Sequence, residues 1–308
     1  MKTILFKILI LFMIIAASQI SVFADSQDRN LYVQKFEEDF QTALFINRNV
    51  LRIDVQEKDN IMFLEPDTPI QLSFGLGWKW IFFAYSFAAS GARIDAQDIQ
   101  MYMFPKQWII SLFWQEYQKL KSDDSTYASN MSIKREGLSI EYVFNDELSL
   151  AASFKQSKKQ LKSAGSFLLG ATIHYNELRN ETRQDYWRFG PMIGYAYTYV
   201  FAKDFYITGV LSAGVNVLDS PRITYGNNKA EYDLIFLPKL ALGYSAQTWG
   251  IVVSYIFDNN ISGKFDRDEN SSKDESVKSF AESGQFSIGF YKRFNLFNRN
   301  KKGVENEI

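Results

Sequence analysis

The sequence predicts an all-β chain that closes into a single antiparallel transmembrane β-barrel of about 12 strands. Three observations carry that prediction: a leader-like N-terminus, apolar residues at every second position over most of the remaining chain, and polar connections that alternate between tight and long. The aromatic content agrees. Of 308 residues, 27 are Phe, 17 Tyr and 6 Trp, side chains that suit pleated surfaces and membrane interfaces.

The leader comes first. Lys2 and Lys7 precede an apolar run from Ile8 to Ala17, and Val22-Phe23-Ala24 fits a small-residue cleavage site, so residues 1–24 read as a cleaved signal peptide. The run is shorter than the roughly 20 residues a spanning helix needs. Absence of cysteine excludes a lipid anchor at the new N-terminus, Asp25, and also disulfides and thiolate metal sites. Losing Lys2 and Lys7 takes the formal charge from −1 to −3, which excludes a globally basic nucleic-acid binder. No later apolar run is long enough for a helical span, so any membrane crossing falls to a closed barrel.

Over residues 25–48, Tyr32, Phe36, Phe40 and Leu44 recur every four residues among Lys35, Glu37, Glu38 and Asp39. That spacing predicts a short periplasmic helix ahead of a barrel spanning 49–294. From Leu51, Ile53 and Val55 the period is two. Ile70 to Trp78, Ile81 to Phe87, Trp108 to Trp114 and Leu138 to Phe144 continue it, and Leu148, Leu150, Ala152 and Phe154 are expected to form a strand as well. The C-terminal half adds Phe167 to Tyr175, Ile193 to Phe201, Ile207 to Val215, Trp249 to Phe257 and the closing set Phe286, Ile288, Phe290. The intervening positions are often small or neutral (Gly75, Gly77, Ser111, Ser139, Gly170, Thr172, Gly194, Thr198), which suits a crowded lumen. Large apolar residues then face lipid, with Trp78, Trp108, Trp114, Tyr175, Tyr199, Trp249 and Phe257 near strand ends. Tight links at Ala202-Lys203-Asp204 and Ala246-Gln247-Thr248 alternate with long polar ones at 176–185, 218–230 and 258–283. The N-terminal half gives one strand too many for an even barrel: either Ile61–Leu64 merges into its neighbour or one run is two strands misread. Residues 295–308 form a polar periplasmic tail.

Nothing in the chain spells out catalysis, and no catalytic, cofactor-binding or metal-binding residue is predicted. His174 lies off the apolar parity and should face the lumen; one histidine cannot build a multi-histidine zinc site. Ser163 and Ser166 are near it in sequence but belong to no nucleophile motif. Asp258, Asp266, Asp268, Glu269, Asp274 and Glu275 lack the glycine and distal glutamate of a calcium loop. Gly75-Leu76-Gly77 opens no helix. The basic stretch from Lys155 to Lys162 suits either anionic headgroups or a hydrated turn.

Several segments resemble a family of Bacteroidetes-type exported proteins carried only as a domain of unknown function. They are Tyr142-Val143-Phe144-Asn145, Phe154, Gln160 to Gly170, Gly75 to Trp80, Gly190-Pro191-Met192-Ile193-Gly194-Tyr195 and Gly243-Tyr244. The resemblance runs over residues 35–295 and implies an outer-membrane barrel without an assigned activity. Together these observations predict a non-enzymatic pore, uptake or envelope-assembly component of the outer membrane. It would be delivered by Sec-type export and have membrane lipid and the export and barrel-assembly machinery as partners. Two alternatives stand beside it: a soluble exported β-barrel that binds an apolar ligand, and a barrel-embedded lipid hydrolase using His174 as base.

Overall fold

The computed structural model describes residues 31–57, 60–90, 93–118, 120–122, 132–179, 183–219, 231–266 and 276–295. In chain order the strands are β1 (Val33–Lys35), β2 (Phe40–Glu57), β3 (Asn60–Pro66), β4 (Ile70–Trp78), β5 (Ile81–Ser90), β6 (Arg93–Met103), β7 (Trp108–Tyr117), β8 (Leu120–Ser122) and β9 (Ser132–Val143). A short helix, α1 (Leu150–Lys155), is next. Then come β10 (Lys158–Gln160), β11 (Ala164–Arg179), β12 (Arg183–Ala202), β13 (Phe205–Asp219), β14 (Glu231–Ser245), β15 (Trp249–Asp266) and β16 (Ser276–Phe294). Twelve of these, β2, β4–β7, β9 and β11–β16, form one antiparallel ring. It closes where β16 pairs with β2, Phe294 opposite Phe40 and Lys278 opposite Gln56. Closure leaves the ring without an edge strand.

Side-chain exposure decides which face is which. Along β4 exposure alternates at every residue. Outside stand Phe167 at 70% exposed, Ile193 at 67% and Ile70 at 64%, whereas Thr198, Thr208 and Asn216 inside are at 0%. A soluble barrel has the opposite polarity, so the apolar parity faces outward as expected. Leu51 is the correction on β2: it is buried and lines the lumen, and Leu44, Ile46 and Val50 hold the outer face.

Three further expectations need correction. Residues 31–48 are not helical: β1 and a short connection lead into β2, and the barrel begins at Phe40 rather than at 49. A spacing of four fits period two as well as a helix, and closure onto β16 gives the backbone of β2 its partners. Leu148 to Phe154 is not a strand but enters the lumen as α1. Ser149 caps it, its Oγ accepting from the Ala152 N–H at 3.3 Å, and Gln156 ends it in the left-handed region at φ 53°. β3 also stands outside the ring, pairing with the far half of β2 and with β8. Losing these two runs while gaining β6, which was not expected as a strand, takes the N-terminal half from seven strands to six and makes the total even. Finally, much of the long polar segments 176–185 and 258–283 is strand: β11 runs to Arg179 and β12 starts at Arg183, and β15 runs to Asp266 with β16 starting at Ser276. The backbone ladder continues beyond the level at which apolar alternation stops.

Both termini of the ring lie at one end, with the tight turns at Lys79-Trp80, 104–107, Lys203-Asp204 and 246–248. The insertion 144–163, which carries α1, enters from this turn end.

Candidate functional site

The lumen is the candidate site, and α1 is its floor. A helix this short is not stable by itself, and its terminal carbonyls lack intrahelical donors. The barrel wall supplies them. The Tyr206 hydroxyl donates to the Ser153 carbonyl at 2.7 Å, Tyr291 to Phe154 at 3.0 Å and Gln41 Nε2 to Lys155 at 3.0 Å. Arg293 donates to the Gln156 carbonyl through Nε at 3.1 Å and Nη2 at 3.0 Å, and to Gln156 Oε1 at 2.7 Å. Gln156 Nε2 in turn donates to the Tyr206 hydroxyl at 2.9 Å. Four successive carbonyls are thus held by three strands, β2, β13 and β16.

The fit at this floor is close. A Cβ on Gly243 would stand 2.2 Å from the Tyr206 ring, and one on Gly250 2.3 Å from Gln156 Oε1. The Ser153 hydroxyl joins Thr198 and Thr208 in a buried triad at 2.7–3.2 Å. Around α1 the interior is dry as well as polar. Phe82, Tyr206 and Tyr291 pack with Ala43, Ala84, Ala241 and Val252, and Phe154 of α1 lies against them. Beside the small and polar inward residues that were expected, the ring has its own apolar core where it grips the insertion. The N-terminal segment locks the underside: β1 pairs with β10, and the Arg293 guanidinium lies over the Phe36 ring at 3.6 Å.

Above the floor is a chamber of about 210 Å³, lined by apolar groups such as Leu51, Phe113 and Leu237 and by polar ones such as Glu141, Lys239 and His174. A polar relay runs up one wall. The Tyr102 hydroxyl donates to Gln100 Oε1 at 2.8 Å, and Gln100 Nε2 and Gln115 Nε2 both donate to Asp98 Oδ2, at 2.7 and 3.1 Å. Arg135 Nη1 donates to Ser283 Oγ at 3.0 Å. β9 and β16 are opposite in the ring, six strands apart by either route, so this side chain braces the lumen across its width. Lys239 Nζ on β14 reaches Glu141 Oε1 on β9 at 3.1 Å, a second cross-lumen contact.

A family model described as Domain of unknown function (DUF4421) matches residues 24–294. The chain belongs to that family. Among curated proteins none matches this DUF4421 chain in sequence. Solved structures resemble it at low identity. The Escherichia coli outer membrane protease OmpT is 9% identical with a TM-score of 0.39, the match covering 84% of this chain and 98% of that one. The P. putida toluene transporter TodX is 8% identical at 0.30, covering 84% and 91%. A bacterial polysaccharide outer membrane secretin is 9% identical at 0.38, covering 83% and 98%. No residue role passes from these structures to the DUF4421 chain, whose barrel is established by its own strand order and register.

His174 faces the lumen as expected, buried, with its ring edge-on to Phe113 at 5.2 Å between centroids. The serines weighed with it are not brought to it. Ser166 is eight positions along β11, about 26 Å at ~3.3 Å per residue, and accepts from the Asn145 N–H at 2.9 Å. Ser163 accepts from the Val200 N–H at 2.9 Å. The Ser-His arrangement for a lipid hydrolase is therefore not assembled from these residues. The basic stretch is also corrected: Lys155 is inside the lumen, and Lys159 pairs with Asp204 at the rim. Residues 1–24, residues 296–308 and the side chains of Asp258, Asp266, Asp268, Glu269, Asp274 and Glu275 lie outside the described residues. Sequence reasoning missed α1 and its wall partners; the signal present was Ser149 ahead of Leu150 and Phe154, a cap preceding an i, i+4 apolar pair.

Proposed function

We propose that the protein is an integral outer-membrane barrel with a plugged lumen, a non-enzymatic uptake or envelope component and not an open diffusion pore. The observation that carries this reading is the set of wall-to-carbonyl bonds from Gln41, Tyr206, Tyr291 and Arg293, which seat α1 across the turn end. The Arg135–Ser283 brace supports it at a second level.

Membrane placement rests on the outer surface. At the turn end Phe201, Phe205, Tyr244, Trp249 and Phe290 touch ring to ring on five consecutive strands, with centroids 4.8–6.3 Å apart. A band of that kind is what barrels present to the lipid headgroup level. Export by a Sec-type leader cleaved after Ala24, insertion by the barrel-assembly machinery, a Bacteroidetes-type envelope and a periplasmic turn end complete the proposal.

Planar-bilayer recording of the refolded protein tests it. The wild type is expected to carry little steady current, while replacing residues 146–160 by a short Gly-Ser linker opens a stable conductance. A wild-type barrel that conducts as well as the deletion overturns the plugged reading.

A further inference from the structure

We propose that the chamber above α1 binds a small monocarboxylate with an apolar body, its carboxylate against the Lys155 ammonium and its body against the aromatic and aliphatic wall. The proposal rests on the plugged-lumen reading and adds the chemistry of the occupant.

The charges point to an anion. Among the described residues the cations lining the chamber are Arg135, Lys155 and Lys239; Glu141 is the carboxylate on its lining, and Asp98 lies close enough to Lys155 for their charges to interact. Glu141 is engaged by Lys239, and Asp98 accepts from Gln100 and Gln115. Arg135 has Ser283. Lys155 differs from these. Its Nζ lies over the Tyr102 ring at 3.8 Å and the Phe82 ring at 5.3 Å, and it forms no ion pair among the described residues. Among the described residues, three cations against two carboxylates leave room for one negative charge.

The remaining lining sets the rest of the ligand. Leu51, Ile109, Phe113, Leu150, Phe154 and Leu237 give the chamber an apolar wall. Asn49 Nδ2 and Thr172 Oγ1 are buried chamber-lining groups without a hydrogen-bond partner among the described residues, so donors remain on the wall. Glu141 and Asp98 each keep one oxygen without a hydrogen-bond partner among the described residues, but the Lys239 and Lys155 ammoniums beside them would repel a further cation. A neutral hydrocarbon would add nothing to the Lys155 charge. Burial pushes the Lys155 ammonium down to about 7; a carboxylate in contact favours its charged form.

Calorimetry on the refolded barrel in a nonionic detergent tests this with 3-phenylpropionate and its neutral analogue 3-phenylpropanamide. The wild type is expected to bind the acid at least tenfold more tightly than the amide. Lys155→Met, which keeps the stem packed on Tyr102, is expected to bind both alike, and Lys155→Arg to keep the preference. Heat-modifiable migration on gels verifies folding of each variant. A wild type that binds neither compound or does not prefer the acid overturns the proposal, as does a folded Lys155→Met barrel that keeps the preference. The conductance of the 146–160 replacement needs no ligand. A silent wild type and a conducting deletion without acid preference would therefore sink the carboxylate site and leave the plug standing.

Discussion

Lys155 shows how far a residue's surroundings depart from its sequence neighbourhood. Among Lys158, Lys159 and Lys162 it reads as part of a solvated run, yet it sits at 9% exposure over two rings. Only the fold of 144–163 separates it from that run, and no local pattern could. Its burial makes stability depend on pH. The unfolded ammonium keeps its proton up to about 10.5, whereas burial lowers the folded value to about 7. Between those values the unfolded chain binds the extra proton, so the destabilising contribution of Lys155 is full below pH 7 and fades as pH rises towards 10.5. The urea midpoint of the wild type should rise across that window by an amount worth a few kcal/mol. Lys158, also lowered by burial, acts with the same sign, so the Lys155 share is the difference from Lys155→Met, whose profile should be flatter. Parallel profiles would show that the ammonium is not buried. Arg293 gives a second prediction at this scale. It donates to the carbonyls of Ala246, Gln247 and Trp249 as well as to Gln156. Arg293→Met leaves those acceptors short of donors, and at about 1.5–3 kcal/mol per charge-assisted bond the unfolding free energy in urea should fall by at least about 3 kcal/mol.

At the scale of elements, legibility tracked the environment on each side of the chain. The strands from Phe167 to Val215 and from Trp249 to Phe290 were readable because one face meets lipid and the other a crowded lumen, which forces a period of two. β2 was misread at its start because Phe40 and Leu44 also fit a helical spacing. α1 was misread because Leu148, Leu150, Ala152 and Phe154 alternate like a strand. What decides between these states is pairing. β2 has β16 and β4 beside it, whereas the α1 segment has no strand partner and instead takes its carbonyl donors from the wall. The plug should therefore be sensitive to the space left for it. Gly250→Ala would put a methyl where Gln156 Oε1 and the Tyr244 carbonyl now approach. The substitution should loosen the insertion while leaving the ring intact. Faster proteolysis within 144–163, with unchanged heat-modifiable migration, is the expected readout; an unchanged cleavage rate would mean the close approach is not needed.

On the scale of the whole molecule, the ring's polarity is its least ambiguous property, and it was the part most legible in the sequence. The candidate chamber was the least legible, because Asp98, Arg135, Glu141, Lys155 and Lys239 come from three strands and an insertion and share no spacing. Outward apolar residues make the fold intolerant of charge at mid-height. Ile193→Arg on β12 should cost about 2–4 kcal/mol if it lies near the bilayer midplane, measured as the shift in urea unfolding in lipid vesicles. The aromatic band supplies a test of depth that needs no substitution. Trp78, Trp108 and Trp249 are 55%, 45% and 36% exposed on the outer surface, each at the turn-end limit of its strand. Amphipathic rings settle where one edge is apolar and the other wet, so these tryptophans should lie at headgroup level. In vesicles, lipids brominated close to the headgroup should quench the intrinsic fluorescence more strongly than lipids brominated near the chain end. Equal quenching by both would displace the band from the interface, and no quenching by either would remove the barrel from the bilayer altogether.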